Sequence, residues 1–340
     1  MKSDIKRLLT NTIIKETIAR LTVFTYEKIG ENGFFSVFFR KFAEETELKK
    51  TIFKGVGTAL ITPFKEDFSV DYEAFKKLCV SQIDSGVNAL IVGGTTGEGA
   101  TLKAKEKQKL ISVAVEVAQG RAAVVAGTGA NDTQKAVSAT KEALRAGANA
   151  ALVVTPYYNK TSQTGLIEYY KRIADVGLPI IAYHVPSRTG MRIKPETMGK
   201  IAKIKNVCGL KEADILNAET VERIKVLREC GAALYSGSDE LNLPFFSLGA
   251  AGVISVLSNA LPNEVLRVYR LFTDGKIEEC IKAQMRLNGL IGALFIDVNP
   301  IPVKYAMTLV GACENVLRSP LVTLDEDKKE ILRREWEKIV

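Results

Sequence analysis

The chain has 340 residues, 46% hydrophobic and 25% charged, a composition that excludes a disordered or fibrous protein. Lys and Arg number 47 against 39 Asp and Glu, but the net +8 is spread along the chain. With no basic tract and no aromatic RNA-binding motif, nucleic acid is not an expected partner. One histidine, His184, excludes His-Glu-x-x-His and three-histidine metal sites, and the five cysteines, with no C-x-x-C, read as reduced core thiols of a cytoplasmic protein.

Residues 1–52 stand apart. Residues 1–50 hold ten Lys/Arg and seven Asp/Glu, too acidic for an organellar transit peptide, and the apolar run Gly33–Phe39 is far short of the roughly 20 residues that span a bilayer. This segment reads as an N-terminal extension. It is either an amphipathic helical appendage or sequence outside the mature domain, and no function attaches to it.

From residue 53 a strand–helix unit repeats. Apolar, β-branched runs occur at Gly55–Ile61, Asn88–Val92, Ala122–Ala126, Asn149–Thr155, Pro179–His184, Asn206–Lys211, Ala232–Ser236 and Gly252–Val256. They are continuous rather than alternating, as in parallel strands buried on both faces. Amphipathic segments lie between them, and Gly86, Gly120, Gly147 and Gly177 mark helix ends. Eight units over about 200 residues predict a (β/α)8 TIM barrel across 53–275, with a doubly wound open sheet as runner-up. Helical patterns at 263–273, 276–295, 300–311 and 325–339 exceed what a last barrel helix needs, so 276–340 is expected to be a C-terminal helical extension.

The active face of such a barrel is built by the C-terminal strand ends. Collected there are Thr95 and Thr96 after strand 2, Asn131 after strand 3, Tyr157 and Tyr158 after strand 4, and Tyr183 and Arg188 at strand 5. Lys211 ends strand 6, Gly237 and Asp239 follow strand 7, and Ile254 and Ser255 lie in strand 8. Lys211 terminates Val207-Cys-Gly-Leu210, and alternation puts it on one face with Gly209 and Val207. An amine held in a barrel mouth is partly desolvated and nucleophilic, able to form a Schiff base with a ketone; the plainer reading is a strand-end lysine that reaches water or pairs with Glu212. Tyr183 on the adjacent strand is placed to move protons, or merely to bond a carbonyl. The Gly93-Gly-Thr-Thr-Gly-Glu98 turn suits a small carboxylate or serves as a helix cap, and Arg188 offers a fork for a second carboxylate. His184 alternates away from the interior and reads as a packing residue.

Gly94-Thr-Thr-Gly-Glu98, Thr155-Pro-Tyr-Tyr-Asn159, Tyr183-x-Val-Pro-Ser-Arg-Thr-Gly190, Gly209-Leu-Lys-Glu-Ala213 and Asn299-Pro-Ile-Pro-Val-Lys304 together resemble the dihydrodipicolinate synthase family. The resemblance runs from about residue 53 to the C-terminus, within a superfamily that also holds N-acetylneuraminate lyase. It implies a pyruvate-dependent class I aldolase needing neither metal nor organic cofactor. Pyruvate and L-aspartate 4-semialdehyde would be its substrates, in diaminopimelate and lysine biosynthesis, and the enzyme would be a cytoplasmic homotetramer.

By that resemblance Lys211 is the Schiff-base lysine, Tyr183 the acid–base residue, and Thr95 and Tyr158 join Tyr183 in a proton relay beside a dimer interface. Thr96 and Ile254 contact pyruvate, Gly237 lies with them in the substrate site, and Arg188 binds the semialdehyde carboxylate. His184 and Gly99 depart from the asparagine and serine usual in the family, and Ser238 and Asp297 depart from its common pattern. The alternatives are another pyruvate-dependent aldolase or lyase acting on a 2-oxo acid, or a non-catalytic paralogue that binds one.

Overall fold

The structure, a computed structural model, describes residues 49–340. The extension expected over 1–52 falls almost entirely outside the described residues. Eight parallel strands close into one barrel in sequence order, as the strand count predicts. They are β1 (Gly55–Ala59), β2 (Ala89–Val92), β3 (Ala123–Gly127), β4 (Ala150–Val154), β5 (Ile180–His184), β6 (Val207–Glu212), β7 (Ala233–Ser236) and β8 (Gly252–Ser255).

The helices of the first four units are α1 (Tyr72–Asp84), α2 (Ala104–Ala118), α3 (Thr133–Arg145) and α4 (Gln163–Ala174). A short α5 (Pro186–Thr189), unforeseen in the sequence, precedes α6 (Pro195–Lys203), and α7 (Ala218–Glu229) follows β6. After β7 come a second short helix, α8 (Asn242–Ser247), and then β8 and α9 (Pro262–Thr273). The chain ends in α10 (Ile277–Ala293), α11 (Ile301–Leu309) and α12 (Glu326–Glu337).

The starts and stops have local causes. Asp71, Asp132, Ser162 and Asn217 cap α1, α3, α4 and α7 by accepting from backbone N–H groups three residues on, at 2.8–3.1 Å. The four glycines expected at helix ends have φ between 79° and 93°, a region in which a side chain is strained.

Two apolar layers separate inside from outside. Ala59, Ala89, Ile91, Val125, Leu152, Ile181, Tyr183, Tyr235 and Ile254 pack within the barrel, while the opposite strand faces join the helices in one larger core. Phe53 stacks on Tyr235 at 4.4 Å, and the Tyr235 hydroxyl donates to Phe53 O at 3.1 Å, so one aromatic pair packs inside the N-terminal end. The barrel is a filled core, and only its C-terminal rim is free to hold chemistry.

One strand breaks the simple alternation. Between β5 and β6 the register steps from Ile180–Val207 to Ile181–Gly209, a bulge that leaves Cys208 as the extra residue. Val207 therefore belongs to the outer core, and Cys208 takes its place on the inner face. The expectation that Val207 shares a face with Lys211 is corrected accordingly.

Cys79 and Cys208 are buried free thiols, both pushed up to about 12 by burial, and so are unreactive as nucleophiles. Among the described residues no helix is long and apolar enough to cross a membrane.

Candidate active site

The bulge sets up the central pair. With Cys208 inserted, Tyr183 lies opposite Lys211 in the β5–β6 ladder, and Lys211 in turn lies opposite Tyr235 on β7. Lys211 is 6% exposed and its Nζ sits 4.5 Å from the centre of the Tyr183 ring. Three basic side chains are buried among the described residues: Arg223, Lys304 and Lys211. Arg223 Nε donates to Glu212 Oε2 at 2.8 Å, and Lys304 Nζ bonds Glu98 Oε1. Lys211 faces an aromatic ring instead. Glu212, the partner the plain reading gave it, points to the other side of the sheet and binds His184 and Arg223. A buried amine that faces no carboxylate is costly to a fold, and such groups cluster where chemistry needs them.

The threonine turn between β2 and α2 is fastened from several sides. Thr96 is buried and its Oγ1 accepts from Asn299 Nδ2 at 3.0 Å; Thr95 beside it is half-buried. Gly97 O accepts from Thr62 Oγ1 at 2.7 Å, and Glu98 Oε2 accepts from the Arg318 backbone N–H at 3.0 Å. The buried Lys304 of α11 stands 4.1 Å over the Phe64 ring as it bonds Glu98. Burial lowers its amine from the ordinary lysine range while Glu98 opposes the shift. Gly99 has a steric cause as well, because a Cβ there would lie 2.1 Å from Gly93 O. This turn has no room for the serine usual in the resemblance.

Arg188 lies on α5 with an exposed side chain, and its Nη2 donates to Asn299 O at 3.1 Å. Asn299 thus touches both Thr96 and Arg188, the residues expected to hold the two substrates. Ile254 is buried inside the barrel, on β8. Gly237 follows β7 where a Cβ would come within 2.7 Å of Glu212 O and the Ala213 side chain, so the rim stays open there only because the residue is glycine.

Tyr158 stands apart from these buried groups. It is 92% exposed with φ at 67°, an unusual conformation for a bulky residue.

Residues 52–339 match the model of the dihydrodipicolinate synthetase family. The chain belongs to that family. A 4-hydroxy-tetrahydrodipicolinate synthase of Caldicellulosiruptor bescii is 45% identical over 285 residues, covering 84% of this chain and 96% of that protein. The crystal structure of dihydrodipicolinate synthase from Thermotoga maritima superposes with a TM-score of 0.83 at 40% identity, covering 85% of this chain and 99% of that one. A structure described as the first monomeric dihydrodipicolinate synthase variant gives 0.82 at 40% identity, over 84% and 97% of the two chains.

For a member of the dihydrodipicolinate synthetase family, the sequence reading missed Asn299, Glu98, Lys304 and Arg318 as parts of the site's support. Asn299 to Lys304 was visible as a motif, but its partner Thr96 is 203 positions away, and no local period reveals such a pairing.

Proposed function

We propose that the chain is a 4-hydroxy-tetrahydrodipicolinate synthase, condensing pyruvate with L-aspartate 4-semialdehyde through an imine on Lys211. The observation that carries this reading is Lys211 itself, the one buried basic side chain among the described residues that faces a phenol ring rather than a carboxylate. Its amine attacks the ketone carbon of pyruvate, and the carbinolamine loses water as Tyr183 passes a proton to the departing hydroxyl. The hydroxyls and N–H groups of the Thr95–Thr96 turn hold the pyruvate carboxylate, with Ile254 and Gly237 shaping the floor and rim.

The Tyr183 phenolate takes a methyl proton, turning the imine into an enamine, whose carbon attacks the aldehyde of the second substrate while the new alkoxide takes that proton back. Arg188 grips that substrate's carboxylate, having one donor on Asn299 O and others left for a bidentate bond. The amine of the adduct then displaces Lys211 from the imine carbon, closing the ring and freeing the enzyme.

Tyr158 supports an assembly of copies. An aromatic side chain 92% exposed in a strained backbone is a poor surface residue, and a second copy packed over it would bring its phenol to the neighbouring relay. We place the enzyme in the cytoplasm as a homotetramer, a compartment that suits five free thiols.

The test is intact-mass analysis after borohydride treatment with and without pyruvate, followed by peptide mapping and a coupled assay with the semialdehyde. One pyruvate-derived unit on Lys211 is expected. An adduct on another lysine, or none, overturns the reading.

A further inference from the structure

Directly behind Tyr183 and Lys211, on the outer face of the barrel, lies a closed ring of hydrogen bonds that the chemistry above does not use. The Ile193 N–H donates to His184 Nε2 at 3.2 Å, so that nitrogen carries a lone pair and the proton sits on Nδ1. Nδ1 donates to Glu212 Oε1 at 2.7 Å, Arg223 Nε donates to Glu212 Oε2 at 2.8 Å, and Arg223 Nη1 returns to Ile193 O at 2.7 Å. Every side chain in the ring is 0% exposed. Burial works to raise the Glu212 carboxyl, but the bonds from His184 and Arg223 overcome it and hold the group below its ordinary value. Asp214, Glu219 and Arg192 border the ring. Asp214 donates its N–H to Glu212 Oε1 at 3.0 Å and pairs with Arg192, and Glu219 lies 3.2 Å from Arg223 Nη1.

Position gives the ring its meaning. His184 and Glu212 are the next register pair after Tyr183 and Lys211 in the same ladder. Below the catalytic pair that ladder carries the Cys208 bulge, without which Tyr183 would face Leu210. A one-residue slip reverses every side chain, so a ladder interrupted below the reacting pair needs a pin above it. Backbone bonds form in either register, so side chains choose: the inner and outer apolar faces of β6 favour the bulged one, and the His184–Glu212 bond adds to that choice beside the reacting pair, because only this register sets those two side chains opposite each other. Stability alone is a poor account of the ring, since well-packed apolar residues commonly serve a fold as well as a buried ion pair.

We infer that His184 is a positioning residue for this enzyme, holding the Tyr183 phenol and the Lys211 amine in reacting register through its bond to Glu212. This rests on the imine chemistry proposed above.

Two substitutions separate the ring's bonds. In His184→Asn the amide NH2 falls near the Nδ1 position and keeps the donor to Glu212, whereas in His184→Gln the amide falls near Nε2 and keeps only the acceptor for Ile193. Misplacement by about 1 Å is enough for a loss on the order of 100-fold. His184→Gln is therefore expected to lower kcat and the rate of borohydride trapping by about 10- to 100-fold, with the pyruvate KM nearly unchanged. His184→Asn should stay within about threefold of the parent in kcat. Thermal melts and circular dichroism confirm that the compared variants are folded.

Parent-like kcat in folded His184→Gln, or equal losses in both variants, overturns the inference. Should His184→Gln fail to fold, Glu212→Gln takes its place, and an unchanged kcat there overturns it equally. The parent is trapped in parallel. If it yields no adduct on Lys211, it is the imine reading that fails, and the two failures stay distinct.

Discussion

Replacing Lys211 by methionine tests the claim that its amine is a structural liability kept for chemistry. Methionine fills nearly the same volume with no polar tip, so it removes a buried group that faces a ring at 4.5 Å and leaves the packing of Tyr183 and Tyr235 in place. Mutational data put the cost of burying a polar group without a hydrogen bond at roughly 1–3 kcal/mol, an upper bound here because the Lys211 Nζ is not among the solvent-excluded atoms that lack a partner. Lys211→Met should return up to about that much stability, and in a domain of this size each kcal/mol moves Tm by about 2–4 °C. The expected gain is therefore a few degrees, with total loss of borohydride trapping and of turnover. The assay is calorimetry of parent and variant without substrate, at one protein concentration, because assembly also shifts Tm. A variant less stable than the parent would refute the reasoning. It would mean that the amine is satisfied in the resting protein and that Lys211 is an ordinary structural lysine.

Three further outcomes follow from the same geometry. Tyr183→Phe keeps the buried ring and removes one hydroxyl, so turnover should fall about 100- to 10,000-fold with Tm little changed; near-parent turnover would send the proton route elsewhere. Arg188→Ala removes the proposed carboxylate grip and one bond to Asn299, and should raise the semialdehyde KM far more than the pyruvate KM, which steady-state kinetics with each substrate varied will read directly. Glu106 binds Arg318 through two bonds of 2.7 Å, and the Arg318 guanidinium holds its carboxyl at about 2 against an ordinary 4.5. A depressed carboxyl contributes stability above its unfolded value and loses it as pH falls through the folded one. Glu106→Gln should thus cost about 1–2 kcal/mol at pH 7 after solvent screening, the gap closing between pH 4.5 and 2 in urea titrations.

How much of this was legible in the sequence depended on distance along the chain. Strand positions are legible to within two residues, because a parallel strand buried on both faces is a continuous apolar run and several helices show a capping residue or a terminal glycine. The C-terminal strand ends then assembled Lys211, Tyr183, Thr95, Thr96, Ile254 and Gly237 without a contact being seen, since the barrel topology fixes which loops meet. What failed was whatever lay outside simple periodicity. The Cys208 bulge displaced Val207 from the inner face, and α5 and α8 arose in loops too short to show a helical period. His184 was read correctly as facing away from the interior, but the ring it closes joins α7 and the segment before α6, which no local pattern connects.

The same distances explain why the C-terminal extension is more than a cover. Thr95 and Thr96 sit in a turn of glycines and hydroxyls, a sequence with little stiffness of its own. Its charged anchor is Glu98, a 4%-exposed carboxylate that would be intolerable there without a partner. The partner is Lys304 from α11, and the second oxygen is held by the backbone N–H of Arg318. Arg318 itself closes on Glu106 at the start of α2, the helix that the turn leads into. Asn299 completes the circuit, donating to Thr96 and accepting from Arg188. Eight strands place Lys211, but Thr96 and Arg188, the proposed substrate contacts, are both fastened by Asn299, 203 and 111 positions downstream. Shortening the chain before residue 299 would leave the barrel its lysine and deprive it of a fixed place to hold a carboxylate.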